Sequence, residues 1–473
     1  MSPHPFLING EWRTSRHVRQ VVNPYDGKIA GEVCQASAGD IAEAIGAATS
    51  AFAVTRRLSS SERADVLASI TEGIRSRKAE FAECVTRETG KPITYSRAEV
   101  DRSIFTFKTA AEEALRITGE VLPLDMNPAS RGRFAIVRRF PLGPIAAITP
   151  FNFPLNLVAH KVAPSVATGN TVVLKPSSNA PMTALLLGEV AVGSGLPKGA
   201  LNIIPCAGSE SGQLLVDERI RAISFTGSPA VGWPLKSQSG MKRVTLELGG
   251  NAGVIVERDA DIMLACEKIL SGGFANAGQS CIAVQRVYVH EEIYEEFETR
   301  LLKGVAALAV GDPWDERTIV GPMITEQAAC QAEEWINEAI AGGARVLAGG
   351  KRNGAVLSPT VLTGVHPSMK VSCLEVFAPV ITLEPYKSFS LALERVNDSV
   401  YGLQAGVFTS NLRYTFEAYE QLEVGGVIVN DVPTYRMDHM PYGGMKASGF
   451  GREGVRYAME EMTELKLLAI NPL

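Results

Sequence analysis

One cysteine of this chain stands where a nucleophile would: in Phe274-Ala275-Asn276-Ala277-Gly278-Gln279-Ser280-Cys281-Ile282, a glycine-containing turn separates a helical run from a β-branched strand. Covalent catalysis by a thiol also asks for a base, since a free cysteine with a pKa of roughly 8.5 is only a few per cent ionised at neutral pH. About thirty residues upstream, Leu246-Glu247-Leu248-Gly249-Gly250-Asn251 offers a carboxylate at a strand end followed by two glycines. A third segment, Ile148-Thr149-Pro150-Phe151-Asn152-Phe153-Pro154, supplies an amide that can donate to a developing oxyanion. Each has a plainer reading alone: a lone cysteine is usually a small buried hydrophobe, and an asparagine among prolines is a turn residue. Only their co-occurrence makes a chemical case.

The elements that must position these groups show as a change of pattern along the chain. Residues 1 to 140 read as a short hairpin around Leu7 to Glu11 followed by helices. One helical run, Ser60 to Glu88, opens with a serine-rich cap and stops at Gly90. From residue 144, apolar strands at Ile145–Thr149, Thr171–Lys175, Leu201–Ile204, Ala222–Phe225 and Val244–Leu246 alternate with helical stretches. That alternation predicts a parallel sheet covered on both faces. A second alternation from about Val254 to Val429 predicts a second α/β domain, with Glu247 and its glycines at the junction.

Composition narrows the partners. A chain of 473 residues exceeds what one core usually serves. Its net charge of −5, with no lysine and arginine block, argues against nucleic acid. The apolar stretches are broken or too short to span a bilayer, and no secretory signal opens the chain, so a cytoplasmic location is expected. Seven cysteines without a C-x-x-C pair read as reduced thiols, and six scattered histidines give no metal-ligand spacing, so no metal is expected. The dinucleotide fingerprint G-x-G-x-x-G is absent. Instead, Phe225-Thr226-Gly227-Ser228-Pro229-Ala230-Val231-Gly232 makes a strand-to-helix turn where a helix N-terminus can face a phosphate. Lys175 ends a strand upstream, where the ribose side of a nucleotide could be held; an ordinary solvated lysine is the alternative.

With Val22-Asn23-Pro24 near the start and Pro441-Tyr442-Gly443-Gly444-Met445-Lys446-Ala447-Ser448-Gly449 near the end, these segments resemble the aldehyde dehydrogenase superfamily over essentially the whole chain. The resemblance implies an α/β fold with a parallel-sheet dinucleotide-binding domain (1–121 and 140–248), an α/β catalytic domain (249–445) and a small β oligomerisation arm (122–139 and 446–473). It implies Cys281 as nucleophile, Glu247 as general base, and Asn152 with the Cys281 N–H as oxyanion hole. A thiohemiacetal would be oxidised to a thioester, which water activated by Glu247 then hydrolyses. NAD or NADP is the implied cofactor, held by Ile148, Thr149, Pro150, Lys175, Ser178, Gly208, Phe225, Thr226, Gly227, Ser228, Val231, Leu248, Gly249, Glu375 and Phe377. Two positions depart from the pattern: Ala378 follows Phe377, and Cys206 precedes Ala207-Gly208, where glycine is usual in both cases. Ser178 stands where NAD-preferring members carry a glutamate, which makes NADP acceptable.

Within the superfamily the chain resembles the lactaldehyde dehydrogenase-like and non-phosphorylating glyceraldehyde-3-phosphate dehydrogenase-like group, on Glu99-Val100-Asp101-Arg102 and Glu420-Gln421-Leu422-Glu423-Val424-Gly425. Arg102 and Arg436 match that group's anion-contacting arginines. Phe153 and Ser280 replace its tyrosine and arginine, so a small hydroxyaldehyde such as lactaldehyde is expected, with a phosphorylated or otherwise anionic short aldehyde of the glyceraldehyde-3-phosphate type as the alternative. A cofactor-independent thiol hydrolase is the reading from another class, and it needs a histidine to activate Cys281; His160 is the only one in the matched segments. A homodimer or homotetramer is expected from the alternating segment Arg131 to Arg139. The C-terminal Glu464 to Ile470 is expected to pair with a partner's sheet edge.

Overall fold

In the computed structural model, which describes residues 2–472, the five short apolar runs between Pro144 and Glu247 form the parallel heart of an eight-stranded sheet. Its order is Glu11–Arg13, Phe6–Ile8, Leu201–Ile203, Thr171–Lys175, Pro144–Ile148, Ala222–Thr226, Arg243–Glu247 and Gly449–Phe450. Pro144–Ile148, Thr171–Lys175 and Ala222–Thr226 are buried at every residue, as required where helices cover both faces. The chain leaves Pro144–Ile148 for Thr171–Lys175 on one side and later returns to Ala222–Thr226 on the other. That reversal opens a crevice at the carboxyl ends of the strands, where Thr149, Gly227 and Leu248 lie.

The run expected as one helix over Ser60 to Glu88 is two, Ser60–Ser76 and Lys78–Thr89. Ser59 and Glu62 form the capping box that starts the first. Arg77 then leaves helical geometry at φ −110° and bridges Glu80 and Glu189, which aims the second helix at helix Met182–Val192. Gly90, at φ 69°, ends it in the left-handed conformation glycine adopts without strain.

The second alternation folds as a seven-stranded sheet in the order Arg345–Ala348, Thr360–Thr363, Val380–Tyr386, Arg286–His290, Gly253–Val256, Gln404–Phe408 and Gly426–Val429, parallel except at Arg345–Ala348. Each sheet has its own apolar core, one around Ile45, Phe107 and Leu174, the other around Phe274, Val287 and Leu383.

A third, three-stranded sheet stands apart: Glu120–Pro123, Phe134–Pro141 and Thr463–Ile470. The C-terminal strand pairs antiparallel with Phe134–Pro141 of its own chain over eight residues and stands at the edge of this sheet, its other side open to the pairing with a partner's edge expected from sequence. Gly449–Phe450 and helix Val455–Glu461 lie with the first sheet rather than with this arm. Among the described residues no helix is long and apolar enough to cross a membrane.

Candidate active site

The crevice of the first sheet faces the cysteine turn of the second across a cleft of about 510 Å³. On the first side, the loop after Pro144–Ile148 leads into helix Asn156–Thr168, whose start is fixed by Glu99 from helix Ile93–Ala114. Its Oε1 accepts from the Leu155 and Asn156 N–H groups at 2.9 and 3.1 Å, while Oε2 pairs with buried Lys91. The carboxylate at a helix N-terminus satisfies orphan donors and complements the dipole. That anchor holds Asn152, 5% exposed, over the cysteine turn. Asn152 Nδ2 donates to the Gln279 carbonyl at 3.1 Å, which leaves its second proton for another acceptor.

On the other side, helix Ile262–Phe274 ends in a tight turn in which Asn276, Ala277 and Gly278 are all left-handed, at φ 52°, 54° and 66°. Two non-glycine residues in that region store strain, a common property of catalytic turns. At Gly278 a Cβ would collide with the Ala378 carbonyl, so the turn packs without side chain on the Glu375 to Pro379 loop. Cys281 follows, its Sγ 3.1 Å from the Tyr442 hydroxyl. Burial pushes the thiol up to about 12, against the opposing pull of that hydroxyl and of Arg436, so the resting thiol is neutral.

Glu247 ends strand Arg243–Glu247, 2% exposed, and neither carboxylate oxygen has a hydrogen-bond partner among the described residues. Burial first, then the neighbouring Glu453, raises it well above the ordinary carboxylate range; Arg436, Lys161 and Arg452 oppose them. Glu453 is held ionised by Lys161 at 2.9 Å and Arg436 at 3.3 Å. Arg436 lies over the Tyr442 ring at 3.6 Å. Beyond it, His160 Nε2 meets Asp438 at 2.8 Å, and Arg102 grips the same carboxylate in two bonds of 2.7 and 3.1 Å. His160 is therefore committed to Asp438, and the polar partner of Cys281 is a tyrosine rather than a histidine, which the hydrolase reading required.

Gly249 and Gly250 admit Glu375: a Cβ at Gly249 would overlap its carboxylate, and the Gly250 N–H donates to it at 3.0 Å. Burial lifts Glu375 to about 7. Phe377, left-handed at φ 54°, meets the Phe151 ring edge-on at 5.9 Å. The buried hydroxyls of Thr149 and Thr226 have no partner among the described residues. Orphaned donors in a crevice with close backbone approach fit a dinucleotide. Lys175 ends its strand 7% exposed, and the Ser178 hydroxyl donates to the Cys206 carbonyl at 3.3 Å.

Of the residues singled out by sequence, the cleft collects Asn152, Glu247 and Cys281 with Pro150, Phe153, Thr226, Gly227, Ser228, Leu248, Gly249, Ser280, Glu375, Phe377, Arg102 and Arg436. Ile148, Thr149, Lys175, Ser178, Gly208, Phe225 and Val231 lie outside its lining. Phe225 and Ile148 are buried, Phe225 with its ring under Gly227 and Gly232, whereas Val231 is 53% exposed on helix Pro229–Gln238. Arg102 and Arg436 reach the cleft already paired with acids, while the buried Arg436 Nε has no hydrogen-bond partner among the described residues. Tyr442, Lys91 and Asp438 escaped sequence reasoning. Only Tyr442 carried a signal, its place in the segment Pro441 to Gly449.

A doubly wound crevice facing a cysteine turn defines an oxidoreductase that takes aldehydes, and the chain belongs to the aldehyde dehydrogenase family, matched over residues 12–468. It is 46% identical over 465 residues to 3-sulfolactaldehyde dehydrogenase of Priestia aryabhattai, covering 98% of this chain and 97% of that protein. Aldehyde dehydrogenase 21 from Physcomitrella patens, solved with the reaction product succinate, is similar at a TM-score of 0.98 with 43% identity, covering 99% of each chain. The glyceraldehyde-3-phosphate dehydrogenase GapN of Methanocaldococcus jannaschii, complexed with NADP, is similar at 0.93 with 38% identity, covering 97% of this chain and 99% of that one. The protein is an NAD(P)-dependent aldehyde dehydrogenase with NAD or NADP as cofactor.

Proposed function

We propose that the enzyme oxidises a small hydroxyaldehyde, neutral or carrying one negative charge, to its acid. The observation that carries this reading is the charge balance of the cleft. Lys91 is cancelled by Glu99 and Arg102 by Asp438, while Lys161 and Arg436 share the single carboxylate of Glu453 beside Glu247, whose carboxyl burial and Glu453 raise above the ordinary range. With Glu247 and Glu375 both protonated, one surplus positive charge is left, which suits a carboxylate or sulfonate tail. A phosphate ester carries about −1.5 to −2 at neutral pH and would be left under-neutralised. The 3-sulfolactaldehyde dehydrogenase relative supports the same class, a hydroxyaldehyde with a singly charged group.

In this reading Cys281 attacks the aldehyde carbon once its proton has left, and the free Asn152 Nδ2 proton with the Cys281 N–H receives the alkoxide. Removing one such donor costs about 2.7–4 kcal/mol of barrier elsewhere, so Asn152 matters nearly as much as the base. A nicotinamide cofactor held by Glu375, Lys175 and the Thr226–Ser228 loop supplies the hydride acceptor. Glu247 takes a proton from the water that releases the acid. Seven free thiols support a reducing compartment, the cytoplasm.

The test is kcat/KM for lactaldehyde, 3-sulfolactaldehyde and glyceraldehyde 3-phosphate with NAD and with NADP. One of the first two should exceed the phosphate ester by at least about tenfold, a barrier difference of ~1.4 kcal/mol. The reverse order would remove the charge argument.

A further inference from the structure

The hydrogen-bonding groups around the thiol are not those the chemistry of a cysteine–glutamate pair leads one to expect. Both oxygens of Glu247 are without partner among the described residues, whereas the Cys281 sulfur has one, the Tyr442 hydroxyl at 3.1 Å. Tyr442 is 3% exposed and its ring is clamped by the Arg436 guanidinium at 3.6 Å, with Ile282 and Leu403 packed against it. A phenol so held cannot turn its hydroxyl to water without leaving the cluster. Its oxygen has no second hydrogen-bond partner among the described residues, so the O–H proton is available to sulfur.

We propose that Tyr442 is a catalytic residue whose hydroxyl donates to the Cys281 sulfur, holding it toward the cleft and stabilising the thiolate as it forms. The proposal deepens the reading of Cys281 as nucleophile and rests on it. The proton balance is simple. The S–H proton leaves to solvent, or to Glu247 once that carboxyl is ionised, the Tyr442 O–H stays on oxygen, and a charge-assisted O–H···S⁻ bond replaces the neutral contact. When sulfur becomes bound to substrate carbon the anion is lost, and the hydrogen bond weakens in step with its need.

The experiment is Tyr442→Phe, which keeps the ring over Arg436 and removes only the hydroxyl. Second-order rates of iodoacetamide alkylation of Cys281 are measured between pH 6 and 9.5 without substrate. A thiol whose pKa rises also gains intrinsic nucleophilicity, with a Brønsted coefficient of about 0.4–0.5, which hides part of the effect. The variant is therefore expected to react about three- to tenfold more slowly at every pH, with cofactor affinity and the unfolding midpoint unchanged. Equal or faster alkylation would overturn the proposal, because a phenol that only fills space leaves the thiol's reactivity alone. Cys281→Ala supplies the separate control: aldehyde oxidation surviving in that variant sinks the nucleophile itself, not only the role of Tyr442. If Tyr442→Phe does not fold, 3,5-difluorotyrosine at 442, a stronger donor, is tested below pH 7. It should speed alkylation, and no change would count against the hydroxyl.

Discussion

Glu247 is the residue whose chemistry depends most on where the fold puts it. A buried carboxyl raised by desolvation keeps its proton to higher pH than an ordinary carboxylate and gains its basic form as pH rises, so thioester hydrolysis should accelerate with pH through that raised value. Glu247→Gln removes the proposed base without adding charge. We expect a pre-steady-state burst of reduced cofactor to survive in it while turnover falls at least about a hundredfold and loses its pH dependence. Loss of the burst with cofactor still bound would place Glu247 in thiol activation instead. At the other end of the cofactor crevice, Ser178 leaves out the like-charge repulsion a glutamate would bring against a 2′-phosphate, although its hydroxyl is engaged by Cys206. Ser178→Glu should lower kcat/KM with NADP and spare NAD; an unchanged ratio of the two refutes the assignment. Cys281, Glu247 and Asn152 were legible in sequence because each sits in a turn with its own local signature. Tyr442 was not, since its contact with Cys281 joins positions 161 residues apart and a tyrosine before two glycines reads as part of a turn.

Among the elements, the strands of the first sheet match their sequence boundaries within about one or two residues, because apolar runs closed by glycine, proline or lysine have little freedom to start elsewhere. The break at Arg77 was illegible. Helical periodicity continues through it, and what parts the two helices is a bridge to Glu189, far along the chain. The anchor at Glu99 is likewise tertiary: a glutamate inside one helix caps the beginning of another. Its removal leaves Lys91 buried without a partner and two N–H groups unmet. Glu99→Ala should cost about 3–5 kcal/mol in chemical unfolding, the usual loss on breaking a buried pair, whereas Glu99→Gln retains an acceptor and should cost less. A loss under ~1 kcal/mol for the alanine would show that the pair is dispensable.

At the scale of the molecule, the arm is what the single chain leaves unfinished. Val121, Leu465, Leu467 and Leu468 are each more than half exposed on a three-stranded sheet separate from the two large ones. Apolar side chains on a thin sheet with an open edge call for a partner surface. We expect a dimer or tetramer by light scattering at micromolar concentration, and Leu467→Lys should shift it toward smaller species. A monomeric mass for the unaltered protein would refute the expectation.

The pairing of Thr463–Ile470 with Phe134–Pro141 closes the arm between one strand and another made much later. On the ribosome, at roughly 5–20 residues per second, the early strand waits some tens of seconds with one edge bare while both large sheets emerge. For that interval the nascent chain presents an apolar, arginine-bearing ribbon to whatever else is unfolded nearby, and the emergence of Thr463–Ile470 is what ends its exposure.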